Sequence, residues 1–232
     1  MKTVEYVFAP YCNIYGEFYN MEYLKKSNDE IEIIKSSHKD EPYFVSHHVD
    51  MIYMGCMTED KQEKAVGLLM PYKDRIKALI ENGTIFLVTG NSVELFGQYI
   101  SDACRKIPAL GIFDFYSERK MDKRHNSLFI GDFKDMKILG HKSQYSMAYG
   151  NFENPFMNLE RGYGMNMDTK KEGIWYKNFY GTYSLGPFLV LNPYFTKYIL
   201  RQLGLSEGLK FEKEIIEAYE YRLADFLNRV NY

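Results

Sequence analysis

The feature that most limits what this chain can become is the stretch Thr84–Gly97, TIFLVTGNSVELFG. A β-branched and aromatic run, Thr84 to Thr89, meets a small polar turn, Gly90-Asn91-Ser92. Val93, Phe96, Gly97, Ile100 and Ala103 then recur at helical spacing. Asn91 followed three residues later by Glu94 has the form of a capping box. The spacing predicts a buried strand that turns sharply into a helix. In many α/β enzymes such a corner lifts a nucleophile clear of the sheet, and the helix N-terminus stabilises its anion. Here the corner holds Gly90, which has no side chain to attack with.

The segments before this corner alternate in type. Thr3–Phe8 reads as a strand, Glu17–Lys26 as a helix with Phe18, Met21 and Leu24 inward, and Ile31–Ile34 and Asp50–Met54 as strands. Glu59–Glu81 is helical by composition, with Pro71 interrupting it, and Gly83 marks its end. Strands alternating with helices argue for a parallel sheet covered on both faces, with ligands at the strands' carboxyl ends. Those ends are Pro10–Tyr15, Gly55–Thr58 and Gly90–Ser92. After Cys104 the texture changes. Ile112–Ser117, Leu128–Phe133, Met136–Gly140 and Gln144–Tyr149 read as short strands, Phe152–Met167 as ordered loop, and Gly173–Tyr183 as strand again. A helix starts at Asn192-Pro193, and a last amphipathic helix, Phe211–Val230, places Ile216, Tyr219, Leu223, Phe226 and Val230 on one face. With no repeat or linker, residues 1–232 read as one domain with an antiparallel extension in its second half.

Composition excludes several function classes. A net charge of −2 gives no electrostatic reason to bind nucleic acid or an anionic membrane. No apolar run reaches the roughly 20 residues a membrane span needs. Three scattered cysteines, Cys12, Cys56 and Cys104, exclude a disulfide framework and suit a reducing cytoplasm. No CxxC or HExxH occurs, and His47, His48 and Asp50 lack the spacing of a metal set. The 21 tyrosines and 16 phenylalanines are expected mostly in the core and sheets, although tyrosine enrichment also suits a partner surface.

Several motifs, in order, resemble class I glutamine amidotransferases of the CobB/CobQ type, most nearly the glutaminase subunit of the two-component lipid II isoglutaminyl synthase. Asn13-Ile14-Tyr15-Gly16-Glu17, with Asn20 after it, is similar to that family's N-L-Y-G-D. Gly55-Cys56-Met57-Thr58-Glu59-Asp60-Lys61-Gln62 stands where the family has G-G-G-Q-D-x-x-Q. Leu95-Phe96-Gly97 matches L-L-G, Phe113–Arg119 the strand ending Y-T-E-R, and Phe152-Glu153-Asn154 matches F-E-N. Gly162-Tyr163-Gly164 with Asn166, Glu172-Gly173, Gly181-Thr182-Tyr183, Gly186-Pro187 and Asn192-Pro193 follow in the family's order. The resemblance implies a flavodoxin-like α/β fold, no cofactor, and a Mur-ligase-like or other ATP-dependent ligase as partner.

The departures fall where the resemblance puts the chemistry. The family's C-G-G-Y-Q elbow is Gly90-Asn91-Ser92-Val93-Glu94 here, so its cysteine position is Gly90 and its glutamine position Glu94. In T-Y-L-H-G-P the histidine position is Leu185, and the glycine-rich oxyanion turn is Gly55-Cys56-Met57. Glutamine hydrolysis in this family is thiolate chemistry with a histidine base. The leading expectation is therefore a degenerate amidotransferase, a non-catalytic subunit or ligand-binding module. Its pocket would draw on Gly55, Cys56, Asn91, Ser92, Glu94, Asn154 and Tyr183. The alternative is an active amidohydrolase with a relocated nucleophile, Cys56 first, with Ser92 and Thr89 flanking the elbow and His47, His48 or His141 as base. A third reading keeps an amino-acid-like ligand without catalysis, Glu94 favouring an ammonium or a bound metal.

Overall fold

The structure is a computed structural model that describes residues 1–228. Its first half runs β1 (Lys2–Tyr6), α1 (Phe18–Ser27), β2 (Ile31–Lys35), α2 (Tyr43–Ser46), β3 (Met51–Met54), α3 (Glu59–Leu69), α4 (Lys73–Glu81) and β4 (Ile85–Thr89). Then come β5 (Tyr99–Asp102), β6 (Arg105–Pro108), β7 (Phe115–Arg119), β8 (His125–Phe133), β9 (Met136–Gln144), β10 (Ser146–Gly150), β11 (Met157–Arg161), β12 (Lys171–Glu172), β13 (Ile174–Tyr176) and β14 (Phe179–Thr182). The chain finishes with α5 (Phe188–Leu191), α6 (Pro193–Gln202) and α7 (Glu212–Asn228).

The central sheet has the order β13-β14-β4-β3-β1-β2. It is parallel except for the β13–β14 hairpin at its edge. Five of its strands reproduce the 2-1-3-4-5 flavodoxin order, whose switch point lies between the first and third strands. β3 and β4 are buried at every position, as continuous apolar strands covered on both faces must be. Pro71 does split the helical segment. α3 ends at Leu69, a 3₁₀ turn spans Met70–Tyr72, and α4 follows.

The second half adds two four-stranded sheets, β10-β7-β5-β6 and β12-β11-β8-β9. Within the second, a buried ion pair joins β9 to β12, and its carboxylate also reaches the end of β14 in the central sheet. Lys142 Nζ donates to Glu172 Oε2 at 2.5 Å and to the carbonyls of Tyr163 (2.9 Å) and Gly164 (2.5 Å). Glu172 Oε1 accepts from Thr182 Oγ1 (2.8 Å) and the Tyr183 N–H (2.9 Å). α7 lies over β8 and β9 through Tyr219, Leu223 and Phe226, packed on Ile130 and Leu139. Val230, the last residue of the expected face, lies outside the described residues. Among those residues no helix is long and apolar enough to cross a membrane.

Three expectations are corrected. The helix after Gly90 does not form. Gly90–Phe96 is a 3₁₀ turn, and Tyr99–Asp102, which shares the helical spacing, is strand β5, paired to β6 and β7. The capping box is absent with it. All seven turn residues are buried, and Asn91 and Glu94 spend their side chains on neighbouring segments instead of on the helix start. Phe152–Met167 contains β11, whose alternation of buried Met157 and Leu159 with exposed Asn158 and Glu160 is the period of a half-covered strand. Gly173–Tyr183 is two strands, β13 and β14, joined by a turn with Lys177 at φ 51°.

Candidate functional site

The loops that follow β1, β3 and β4 converge at one end of the central sheet, where ligands of such folds bind. Together with Leu185 and residues 143–146 they enclose a cavity of about 210 Å³. Ile14 and Tyr15 come from the first loop, Cys56, Met57, Thr58 and Glu59 from the second, and Gly90 and Asn91 from the third.

The cavity floor is built around Gly90. Its φ of +62° is left-handed, the conformation of a sharp elbow and one that favours glycine. A Cβ placed there would lie 2.5 Å from Cys56 Cβ, 2.9 Å from Cys56 Sγ and 3.0 Å from Leu185 Cδ2. Cys56 and Leu185 therefore fill the space into which a residue-90 side chain would point. Burial, with the Glu17 charge adding to it, pushes the Cys56 thiol up to about 12. At neutral pH the neutral thiol is therefore favoured more strongly than in an ordinary cysteine.

Several polar groups around the elbow are already bonded to one another. The Met57 N–H donates to Asn91 Oδ1 at 3.0 Å, and Asn91 Nδ2 returns a bond to the Met57 carbonyl at 2.7 Å. The Gly90 N–H donates to the Ser184 carbonyl at 3.1 Å. Ser92 Oγ donates to the Gly55 carbonyl at 2.5 Å. Gly55 itself has no room for a side chain, since a Cβ would meet the Cys12 carbonyl oxygen at 2.8 Å and Glu17 Cβ at 2.9 Å.

Behind this layer lie two buried carboxyls. Glu17 accepts from Tyr53 Oη, from Thr89 Oγ1 (2.8 Å), from Asn20 Nδ2 (3.2 Å) and from the Gly186 N–H (3.1 Å). It thereby links α1, β3, β4 and the segment after β14. Burial pushes it up to about 8, against the pull of these bonds. Glu94 is held by Gln62 Nε2 at 3.1 Å, and Gln62 Nε2 also reaches the Asn91 carbonyl at 2.5 Å. Arg119 completes this group through Gln62 Oε1. Burial pushes Glu94 up to about 7, against the Arg119 charge and hydrogen bonds from Gln62, Ser146 and Tyr183.

The CobB/CobQ-like glutamine amidotransferase domain matches residues 3–193. This chain belongs to that family.

Its relatives in the family include the GatD subunit of lipid II isoglutaminyl synthase (glutamine-hydrolyzing) of Staphylococcus aureus (strain N315). The two are 28% identical over 220 residues, 93% of this chain and 89% of the relative. The GatD subunit of Streptococcus pneumoniae (strain ATCC BAA-255 / R6) is 27% identical over 208 residues, 82% of this chain and 75% of the relative. Among solved structures, a glutamine amidotransferase superposes with a TM-score of 0.58 at 13% identity, covering 87% of this chain and 99% of that one. PurLQS from Thermotoga maritima gives 0.56 at 11% identity, covering 96% and 99%. At these identities the structural matches speak for the fold alone, and the fold they share is the α/β amidotransferase fold.

Within this amidotransferase fold, Cys56, Gly90, Asn91 and Leu185 all line the cavity. Gly55, Ser92, Glu94, Asn154 and Tyr183 do not. Ser92, Glu94 and Tyr183 point into the packed layer behind the floor, so Glu94 is a scaffold group here, not a ligand contact. Asn154 lies at a separate depression with Phe113, Trp175 and Tyr176. Thr89 donates to Glu17 and has no free hydroxyl proton. Of the candidate bases, His47 stacks on Tyr43 at 4.0 Å and exposed His48 sits 3.6 Å from Asp50, whose carboxylate is taken by Lys2 and the Thr3 N–H. His141 gives its carbonyl to the Leu185 N–H at 2.9 Å, and burial with the Arg222 charge holds its imidazole low. Its ring is not among the groups lining the cavity.

Reading the residues alone missed Arg124 and Glu59 as cavity groups. Arg124 sits in the basic run RKMDKR, a charge run that by itself suggests only a solvated loop, and only the fold carries it to the cavity.

Proposed function

We propose that this chain is a non-hydrolysing amidotransferase-like subunit that acts beside an ATP-dependent, Mur-ligase-like partner. The observation that carries the reading is the floor at Gly90, where the elbow has no nucleophile and its space is filled by Cys56 and Leu185. Two further points support it. The Met57 and Gly90 N–H groups are consumed internally, and loss of a single oxyanion donor costs roughly 10²–10³ in rate. The residue at the histidine position is an aliphatic side chain, and removing a nucleophile or its base alone costs about 10⁶ in a serine protease. The partner assignment is supported by its relatives, both named as subunits of lipid II isoglutaminyl synthase.

Cys56 as a relocated nucleophile is not favoured. It stands in the right cavity, but burial pushes its thiol up to about 12 even with a hydrogen bond from the Asn91 backbone N–H, and no histidine among the described residues lines the cavity to take its proton. Ammonia release from glutamine, measured on the chain alone and with its co-purified native partner, tests the reading. No release above a no-protein control is expected in either case. Release abolished by Cys56→Ala would overturn it. Recovery as a lone monomer from native cells would remove the partner assignment.

A further inference from the structure

A second cavity, of about 240 Å³, lies outside the elbow and shares only the Tyr145 wall with the first. Its base is one side of the β7–β10 ladder. Tyr149 stands opposite Tyr116 and Met147 opposite Glu118, and the Lys120 N–H extends the pairing to the Tyr145 carbonyl at 2.9 Å. Lys120 and Glu118 are two residues apart, so they follow one another along the same face at about 6.6 Å. Around this row the fold gathers both signs of charge. Lys123 and His125, from the turn that enters β8, join Lys120 at one end. Burial, with the Lys123 and Lys120 charges, holds the His125 imidazole below its usual range, which places the three side chains in one another's field. At the other end Asp168, from the loop between β11 and β12, joins Glu118. Burial and these two carboxylates raise the Tyr149 phenol, so both border its ring. Among the described residues no ion pair engages any of these five groups. Elsewhere on the surface lysines have closed onto carboxylates, Lys137 on Asp132 at 2.8 Å, Lys177 on Glu81 at 2.5 Å and Lys197 on Glu212 at 2.5 Å. This cavity instead holds a basic end and an acidic end apart, with Met147 and Met167 as its apolar lining.

We propose that this second cavity binds a small aminoalkyl phosphate, its phosphate on Lys120, Lys123 and His125, its ammonium on Glu118 and Asp168, and its carbon chain against Met147. A phosphate monoester brings close to two negative charges at neutral pH and three terminal acceptor oxygens, one for each of the three basic side chains. A carboxylate brings one charge and two oxygens. At the other end two carboxylates without a cation are matched by an ammonium, whereas a hydroxyl would leave both charges uncompensated. The size fits as well. At roughly 30 Å³ for each water in the liquid, about 240 Å³ holds about eight waters, and O-phosphoethanolamine has about eight non-hydrogen atoms. The site includes none of Gly90, Cys56 and Leu185, so it stands whether or not the elbow hydrolyses glutamine.

Titration calorimetry on the full chain at low salt, where exposed charges are least screened, tests it. O-phosphoethanolamine is expected to bind at least ten-fold more tightly than four probes that lack or replace one end: inorganic phosphate, ethanolamine, glycerol 3-phosphate and β-alanine. Lys123→Gln is expected to weaken O-phosphoethanolamine at least ten-fold. Asp168→Asn is expected to weaken it at least ten-fold too, while inorganic phosphate binds no less well than to the unaltered chain. Both residues are exposed, and unchanged urea midpoints show that the variants fold. Inorganic phosphate binding as tightly as O-phosphoethanolamine would reduce the site to a general anion patch and overturn the proposal. No heat with O-phosphoethanolamine, or binding untouched by both substitutions, would overturn it too. Vesicles of phosphatidylethanolamine in phosphatidylcholine carry the aminoethyl phosphate as a diester on a membrane. The chain is expected to stay in the supernatant with them. Sedimentation that Asp168→Asn abolishes would move the ligand to a lipid headgroup and overturn its assignment as a small free molecule.

Discussion

The Lys142–Glu172 cluster and the floor at Gly90 are both buried, and they are built on opposite plans. Around Lys142 every proton has a partner: Glu172, two carbonyls, and behind them Thr182 and the Tyr183 N–H. Around Gly90 the groups that meet are a thiol carbon and sulfur and a leucine methyl. A buried charge is tolerated only when it is fully satisfied, so the first cluster fixes one geometry for the strands it joins. The second asks only for volume to be filled, which residues of different chemistry can do. On the proposed reading, the contrast explains how an amidotransferase fold can persist without a nucleophile at its elbow: the buried polar cluster is separate from the apolar layer at Gly90.

Removing one member of the ion pair would break the comparison most severely. Lys142→Ala leaves Glu172 buried without its cation and is expected to cost about 3–5 kcal/mol in urea unfolding. Lys142→Met combined with Glu172→Gln should cost clearly less. Equal losses would mean that the pair contributes only packing.

The floor should respond to volume. Gly90→Cys forces a Cβ to 2.5 Å from Cys56 Cβ and strains a φ of +62°, an expected loss of about 1–3 kcal/mol. Adding Cys56→Gly removes the clash but not the φ strain, so part of the loss should return. A double-mutant cycle showing no coupling between the two positions would contradict the shared space.

A third prediction sharpens the contrast through pH. Glu17 is raised in the folded chain, to about 8 from the ordinary glutamate value of 4.5, so the folded state holds a proton that the unfolded state has released. Its stabilising effect is full below the unfolded value and is lost as pH rises through about 8. Stability should fall across that window, by at most about 1.4 kcal/mol per pH unit for a single proton. Glu94, raised to about 7, adds a slope of the same sign over the lower part. Glu17→Gln should flatten the part due to Glu17, read as urea midpoints at pH 5, 6.5 and 8. An unchanged slope would contradict the assignment.

The smallest expected effect lies far from both clusters. Tyr219 Oη donates to the Lys137 carbonyl at 2.8 Å where α7 crosses β9. Tyr219→Phe should cost about 0.5–1.5 kcal/mol, visible in the urea midpoint, and leave ligand binding unchanged.

The parallel half was legible because its strands are continuous apolar runs punctuated by Pro71 and flanked by helical patterns. The turn after Gly90 was misread because Val93, Phe96 and Ile100 satisfy a helical period while serving a buried 3₁₀ turn and a strand. Periodicity cannot report that Asn91 is needed by Met57. β11 was hidden by the Asn, Gly and aromatic residues around a five-residue alternation. At the site, Gly90, Cys56, Asn91 and Leu185 were found through the order of motifs. Arg124 and Glu59 were not, since a charge in a loop shows its neighbours only when the fold closes.

The central claim is that the elbow is chemically silent, and covalent trapping tests it most directly. The purified chain, alone and with its native partner, is treated with an electrophilic glutamine analogue and its intact mass is read beside an active relative. The account predicts a labelled relative and an unmodified mass for this chain in both states. An adduct mapped to Cys56 or Ser92 would contradict it.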